Sequence, residues 1–265
     1  MFVPPIVLLA IGITLLMQPG AFGARHEIIL ERIQQREEAG WVVPSPAFET
    51  FDYVRLGTEL AGNDWVVANK LRPLVPIDYE PSNLREVRSS KSLDNSRGLE
   101  LADQTASALE ALAAQMFSEG AGQIFVNSAY RSYDYQVELF ISKTKQYGLD
   151  GALVRSAKAG HSEHQTGLAV DVSVPAQGCA IMQCFGDTVG GQWLAENAWK
   201  FGFVIRYEEG TEEITGYTYE PWHLRYVGLE IAKSYREQGR HTLEEFWGFP
   251  AAQYYLEEIT ESTND

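Results

Sequence analysis

The sequence SEHQTGLAVDV, at residues 162–172, contains the strand around which the expected fold is arranged. Across its second half, apolar side chains alternate with small or polar ones, which is typical of a β-strand with one face toward a hydrophobic core. The expected core-facing positions are Leu168, Val170 and Val172. The other face carries Gly167, Ala169 and Asp171. Asp171 is therefore expected to have small neighbours and free space beside it.

The patterns on both sides of this strand predict the remaining elements. Further strands are predicted at residues 65–69, 124–128, 203–207 and 217–226. Helices are predicted at residues 99–118, 133–147, 193–200 and 229–237, and a capping box at 242–245 opens a last short helix. Because helices and strands do not alternate as regular βαβ units, we expect an α+β fold with a mostly antiparallel sheet and flanking helices.

The composition excludes two classes of partner. The chain has 265 residues, enough for one sizeable domain with extensions. It carries 36 acidic against 21 basic side chains, a net charge of -15. Nucleic acids and anionic lipid surfaces both attract basic proteins, so this charge argues against nucleic-acid binding and against an electrostatic hold on a membrane.

The N-terminus is expected to direct export. Residues 1–17 contain no charged side chain, and a small-x-small cleavage site follows at residues 21–23. We therefore expect a signal peptide or an N-terminal membrane anchor, which would tether the protein, and a periplasmic or cell-envelope location. The predicted segments are a signal or anchor at 1–24, a helical leader at 25–60, the main domain at 61–250 and a C-terminal tail at 251–265.

The chain has two cysteines, Cys179 and Cys184. An exported protein can keep a disulfide, and these two would close a small loop. A zinc site formed by this pair is not expected, since no second Cys or His pair accompanies it.

Two separated segments supply side chains suited to a catalytic metal. The first offers His164 and Asp171, and the second, EPWHLR at residues 220–225, offers Glu220 and His223. Two histidines and one carboxylate give Zn2+ three ligands and leave one position for water, as in catalytic zinc sites. The other carboxylate then serves as the general base. We assign Asp171 to the metal and Glu220 as the base, although spacing alone leaves their roles interchangeable. Either histidine alone is more often a surface or core residue.

Three polar residues are candidates for substrate contacts. Arg131 follows the strand at 124–128, where its guanidinium would suit a developing oxyanion or a substrate carboxylate. Gln136 would face the same cleft from the next helix, and Ser162 would contact a substrate carboxylate. The alternatives are a surface salt bridge, a helix-surface amide and a turn cap, respectively. Arg206 and Arg225 are expected to be structural and to pair with acidic neighbours such as Glu208.

These motifs resemble those of the VanY-type D-alanyl-D-alanine carboxypeptidases, zinc peptidases of the M15B family. Residues 162–171 fit the family pattern SxHxxGxAxD, and residues 220–225 fit ExWHxR. Residues 130–136 fit YRSxxxQ. The resemblance extends over roughly residues 65–249.

The resemblance implies specific roles and a fold. His164, Asp171 and His223 would bind zinc, Glu220 would be the base and Arg131 would polarise the scissile carbonyl. Ser162 and Gln136 would contact the substrate. The implied fold is the small α+β fold that these peptidases share with the hedgehog signalling domain.

The implied substrate is a peptidoglycan stem peptide that ends in D-Ala. We favour D,D-carboxypeptidase activity on pentapeptide stems, with L,D-carboxypeptidase activity on tetrapeptide stems as the alternative. Two further alternatives are a non-catalytic zinc-containing module that binds the cell wall and an endopeptidase that cuts cross-bridges. The base Glu220 speaks against the module, because binding alone requires no base.

Overall fold

A central sheet of five strands organises the computed structural model, which describes residues 57–258 of the protein. In chain order the strands are β1 (Leu84–Glu86), β2 (Leu93–Asp94), β3 (Glu100–Ala102), β4 (Ile124–Ser128), β5 (Ala169–Ser173), β6 (Phe203–Tyr207) and β7 (Glu220–Tyr226). The central sheet has the order β2-β4-β5-β7-β6, and β1 pairs with β3 in a separate two-stranded sheet. Only β2 and β4 pair in parallel among these strands. The predicted α+β fold with a mostly antiparallel sheet is confirmed.

Six α-helices with both ends among the described residues flank the strands. They are α1 (Asp103–Ser118), α2 (Tyr133–Leu153), α3 (Val189–Asn197), α4 (Glu212–Thr215), α5 (Leu229–Glu237) and α6 (Leu243–Trp247). The helix α1 buries Leu109, Leu112 and Met116 completely, in one core cluster with Val126 and Val172 of the sheet. Burial of each such side chain stabilises the folded state by about 1.5–3 kcal/mol. This contact therefore holds α1 firmly against one face of the sheet.

The strand β5 is buried on both faces. It lies between β4 and β7, and each of its five residues is buried. The expectation of a core face and an open face was therefore only partly right. Val170 and Val172 lie in the main core cluster, whereas Asp171, 8% exposed, lies at a cleft in the opposite face.

The predicted strand at 65–69 is wrong. Val66 and Val67 are buried, but Val66 N–H donates to Asn63 and Val67 N–H donates to Thr58, both close in sequence. Only an isolated bridge between Asn69 and Arg72 forms there. The apolar run reflects burial of a looping segment, which local hydrophobicity does not distinguish from a strand.

Two predicted helices begin at residues other than those expected. The helix predicted at 99–118 begins at Asp103, because residues 100–102 form β3. The helix α3 begins at Val189 instead of residue 193, and the Thr188 hydroxyl caps it by accepting from Gly191 N–H at 3.1 Å. A Cβ at Gly191 would lie 1.9 Å from the Phe185 carbonyl oxygen, so a glycine is required for this close approach. The helix α2 extends to Leu153, but Gly148, with φ 74° and ψ 170°, interrupts it at a kink. Its first part therefore ends where the sequence predicted, and a second helical part follows. The predicted strands at 124–128 and 203–207 and the helix at 229–237 are confirmed.

The predicted segments at the two ends of the chain lie only partly within the described residues. The signal or anchor at 1–24 and most of the leader at 25–60 lie outside the described residues. No helix within residues 57–258 has the length and apolar character needed to cross a membrane. Residues 251–258, predicted as the start of a tail, contribute the fully buried side chains of Ala252 and Tyr255. This part of the chain thus packs with the domain.

Candidate active site

His164 is held by a short 3-10 helix, Glu163–Thr166, that leads into β5. Gly167 ends this helix at a φ of 71°, a left-handed conformation that favours glycine. The His164 ring is 1% exposed, and its Nδ1 lies 2.7 Å from the Ala129 carbonyl oxygen. Because that carbonyl can only accept, Nδ1 carries the proton and Nε2 keeps its lone pair. This Nε2 lies 3.3 Å from Asp171 Oδ2.

Asp171 and His223 meet because they are directly paired across β5 and β7. Side chains at paired positions share one face of a sheet and lie close together. Asp171 Oδ1 lies 3.4 Å from His223 Nδ1. One potential ligand atom from each of His164, Asp171 and His223 lies within 4.8 Å of the others. Sequence segments about fifty residues apart thus form one cluster.

Glu220 and Arg131 complete the cluster from either side. Glu220 opens β7, and its Oε2 lies 3.4 Å from His223 Nδ1. Arg131 follows β4; its Nη1 donates to Ser128 Oγ at 3.1 Å and lies 3.8 Å from Asp171 Oδ2. The Arg131 Nε is buried without a hydrogen-bond partner among the described residues. The guanidinium therefore keeps donor capacity for a further oxygen.

The two histidines have opposite electrostatic environments. Burial, with the nearby Arg131 charge, lowers the pKa of His164 to about 4. Burial also opposes protonation of His223, but the nearby carboxylates of Glu163, Glu220 and Asp171 raise its pKa to about 9. His164 is thus neutral at pH 7, whereas the carboxylates around His223 favour a positive charge there.

The carboxylates also differ. Burial opposes ionisation of Asp171, but the two histidines and Arg131 hold its pKa well below the usual range. Burial raises the pKa of Glu220. A carboxylate with a raised pKa is a better proton acceptor and donor near neutral pH than an ordinary one.

The cluster fits a metal ion with three protein ligands. It offers two imidazole nitrogens and a carboxylate oxygen, a donor set typical of zinc. His164 Nε2 and Asp171 Oδ1 are buried and lack hydrogen-bond partners within residues 57–258. Such atoms are costly to bury unless a ligand satisfies them, and a divalent cation would do so. Asp171 contacts both imidazoles, whereas Glu220 contacts only His223, which makes Asp171 the better placed ligand.

The cluster lies at the floor of a cleft of about 900 Å³. This volume lies within the range of small-ligand sites. The wall includes aromatic side chains of Tyr130, Tyr135, Tyr147, Tyr207, Tyr217 and Trp222. Ile181 and Met182 line it from the loop that the Cys179–Cys184 disulfide closes, which confirms the predicted bond.

The structure brings Ser162 to the cleft but not Gln136. Ser162 lines the cleft and does not cap the 3-10 helix; its hydroxyl lies 3.5 Å from Arg131 Nη2. Gln136 is fully buried behind the wall, where its Nε2 donates to the Ala157 carbonyl oxygen at 2.7 Å. Since Ala157 lines the cleft, Gln136 supports the wall and does not face the cleft.

Sequence reasoning missed Glu163, which lies beneath His223. The expected pairing of Arg206 and Arg225 with Glu208 is wrong, because both guanidinium groups contact Glu163 instead. Glu208 pairs with His241 at the surface. The available signal was that two arginines in buried strands require buried counter-charges.

Comparison with known proteins finds similarity to peptidases of the kind that the sequence motifs indicate. The chain is similar to the solved LdcB LD-carboxypeptidase, with 39% identity, 71% of this chain and 86% of that chain covered, and a TM-score of 0.63. A zinc complex of the vancomycin-resistance D,D-pentapeptidase VanY shares 30% identity over 68% of this chain and 97% of that chain, with a TM-score of 0.57. The D-alanyl-D-alanine carboxypeptidase of Enterococcus faecium is 37% identical over 144 residues, 51% of this chain and 43% of that protein. The chain spans 43–65% of the curated relatives it matches.

These similarities place the protein in a class of carboxypeptidases. Within that class, the model of the VanY D-alanyl-D-alanine carboxypeptidases matches residues 98–229, a range that includes every residue of the cluster. The chain belongs to the VanY family, as its motifs indicated.

Proposed function

We propose that the protein is a zinc-dependent carboxypeptidase that removes the C-terminal D-Ala from peptidoglycan stem peptides, with D,D-carboxypeptidase activity on pentapeptides. The observation that carries this proposal is the joint position of His164, Asp171, His223, Glu220 and Arg131 at the floor of one cleft. Three ligands, a base and an oxyanion-stabilising cation are the components that hydrolysis of a peptide bond at a metal site requires. An exported protein in the cell envelope would meet this substrate.

The metal would be held by His164 Nε2, His223 Nδ1 and Asp171. When bound, zinc lowers the pKa of water toward neutrality and polarises a carbonyl oxygen. Glu220, with its pKa raised by burial, takes a proton from the attacking water and delivers it to the leaving amino group of D-Ala. Arg131 donates to the oxygen of the scissile carbonyl as negative charge develops there. Ser162, next to Arg131, is placed to contact the substrate carboxylate.

L,D-carboxypeptidase activity on tetrapeptide stems is the second candidate. Its support is the LD-carboxypeptidase relative, which has higher identity and a higher TM-score than the D,D-pentapeptidase structure. The family model and the Enterococcus faecium relative carry the D-alanyl-D-alanine name and support the D,D activity. Both reactions would use the same cluster.

The test is mass spectrometry of synthetic stems incubated with the zinc-loaded protein. We expect the pentapeptide ending in D-Ala-D-Ala to lose one alanine, and a matched pentapeptide ending in L-Ala to remain intact. Loss from the tetrapeptide alone would replace the D,D activity by the L,D activity. Internal cleavage would indicate an endopeptidase. Binding of stems without any cleavage would contradict the proposal and favour a non-catalytic cell-wall module.

A further inference from the structure

Two unpartnered buried atoms face each other on the side of His223 away from the cluster. His223 Nε2 and Glu163 Oε2 are both buried, and neither has a hydrogen-bond partner within residues 57–258. They lie 3.7 Å apart. Burying either atom without a partner costs free energy, and the cost is larger when the group is charged.

We propose that Glu163 is a positioning residue that fixes the orientation and proton position of His223, an inference that rests on the proposed zinc site. A neutral imidazole has one N–H and one lone pair. With its proton on Nε2, directed at Glu163, His223 presents the lone pair of Nδ1 to the cluster. His223 Nδ1 is the atom that lies 3.4 Å from both Asp171 and Glu220. Histidine ligands usually donate their second N–H to such an outer carboxylate or carbonyl.

The separation of 3.7 Å is longer than a hydrogen bond. A small rotation of the imidazole would bring Nε2–H and Oε2 within hydrogen-bond distance. Packing limits the ring to such small motions, since His164 and Tyr207 contact it edge-on with centroid distances of 4.9 and 5.0 Å. The direction toward Glu163 is the one in which both unpartnered atoms gain a partner.

The other oxygen of Glu163 is fully engaged, which holds the carboxylate in place. Glu163 Oε1 accepts from Arg206 Nε at 2.8 Å and from Arg225 Nη1 at 3.0 Å. Two guanidinium groups on one oxygen favour the ionised form and leave Oε2 free to face His223.

A second buried carboxylate balances the charge. Glu244, at the start of α6, accepts from Arg206 at 2.7 and 3.0 Å and from Asn69 Nδ2 at 2.9 Å. Two arginines and two glutamates, all with fully buried side chains, thus form a neutral network. Buried ion pairs contribute little net stability, because desolvation offsets their attraction. We therefore attribute to the network a positioning effect, because it holds the Glu163 carboxylate in place beside His223.

Glu163→Gln and Glu244→Gln form a matched pair for the test. Each removes one buried charge that binds Arg206, but only Glu163 reaches His223. We expect both variants to lose thermal stability to a similar extent. Zinc affinity is measured by chelator competition, on protein that circular dichroism shows to be folded. It should fall about 10- to 100-fold in Glu163→Gln. In Glu244→Gln it should stay within about threefold of wild type. Equal zinc affinity in the two variants would overturn the inference.

Nuclear magnetic resonance of the wild-type protein gives an independent result if Glu163→Gln does not fold. In zinc-loaded protein with ¹⁵N-labelled histidine, His223 should carry its proton on Nε2. A proton on Nδ1 would overturn the inference. Zinc bound by the wild type together with equal zinc affinity in the two variants removes this inference alone. A wild type that binds no zinc removes the proposed function and this inference with it.

Discussion

Replacing Glu220 with Gln is expected to lower kcat by about 10²- to 10⁴-fold while zinc remains bound, since this range is typical for loss of a general acid–base group. Gln has nearly the same shape but can neither take up nor release the proton. The ligand cluster should survive, because Glu220 contacts only His223, whereas Asp171 contacts both imidazoles. KM should change little, since the lost step follows binding.

The measurement is steady-state release of D-Ala from the pentapeptide, with zinc content determined on the same preparation. Glu209→Gln is a suitable control, because Glu209 is exposed and lies outside the cleft. Activity within tenfold of wild type would contradict the role of Glu220 as the base. Loss of both zinc and activity would instead indicate that the two carboxylates have exchanged roles, with Glu220 as a metal ligand and Asp171 as the base.

Replacing Arg131 with Gln is expected to lower kcat by about 10²- to 10³-fold, the usual cost of losing one oxyanion donor. The guanidinium already donates to Ser128 and lies near Ser162, yet its buried Nε lacks a partner within residues 57–258. That remaining donor capacity is best used when charge develops on the carbonyl oxygen. An interaction made only in the transition state lowers kcat and kcat/KM equally.

The kinetic pattern distinguishes the two roles that the sequence left open for Arg131. If it binds the substrate carboxylate, Arg131→Gln should raise KM and leave kcat nearly unchanged. Arg97→Gln is the matched control, because Arg97 also lines the cleft but is exposed and donates to the Asn127 carbonyl oxygen at 2.7 Å. It should change kcat by less than about threefold, as expected for a residue remote from the developing charge.

Local patterns were sufficient to predict that His164, Asp171 and His223 lie in one cluster. The strand at Asp171 and the strand at His223 each have a clear pattern, and neighbouring antiparallel strands bring paired side chains onto one face. His164 precedes β5 by a few residues, so its approach to Asp171 needs only the turn at Gly167. Once β5 and β7 are neighbours, the contacts among these three side chains follow from local strand pairing and a single turn.

Contacts between distant segments were not predictable in the same way. Glu163 pairs with Arg206 and Arg225, which lie 43 and 62 positions away. No spacing rule connects such residues, because their proximity depends on the order of β5, β7 and β6 in the sheet. Gln136 illustrates the same limit: its helix was predicted, but whether its side chain faces the cleft or the wall depends on the packing of residues 156–157.

The most direct test of the central claim is anomalous X-ray diffraction from crystals of the zinc-loaded protein, measured on both sides of the zinc absorption edge. The account predicts one strong peak at about 2.0–2.2 Å from His164 Nε2, His223 Nδ1 and a carboxylate oxygen of Asp171. Glu220 should lie beside this peak without coordinating it. A peak elsewhere, a peak coordinated by Glu220 in place of Asp171, or no peak at this cluster would contradict the account.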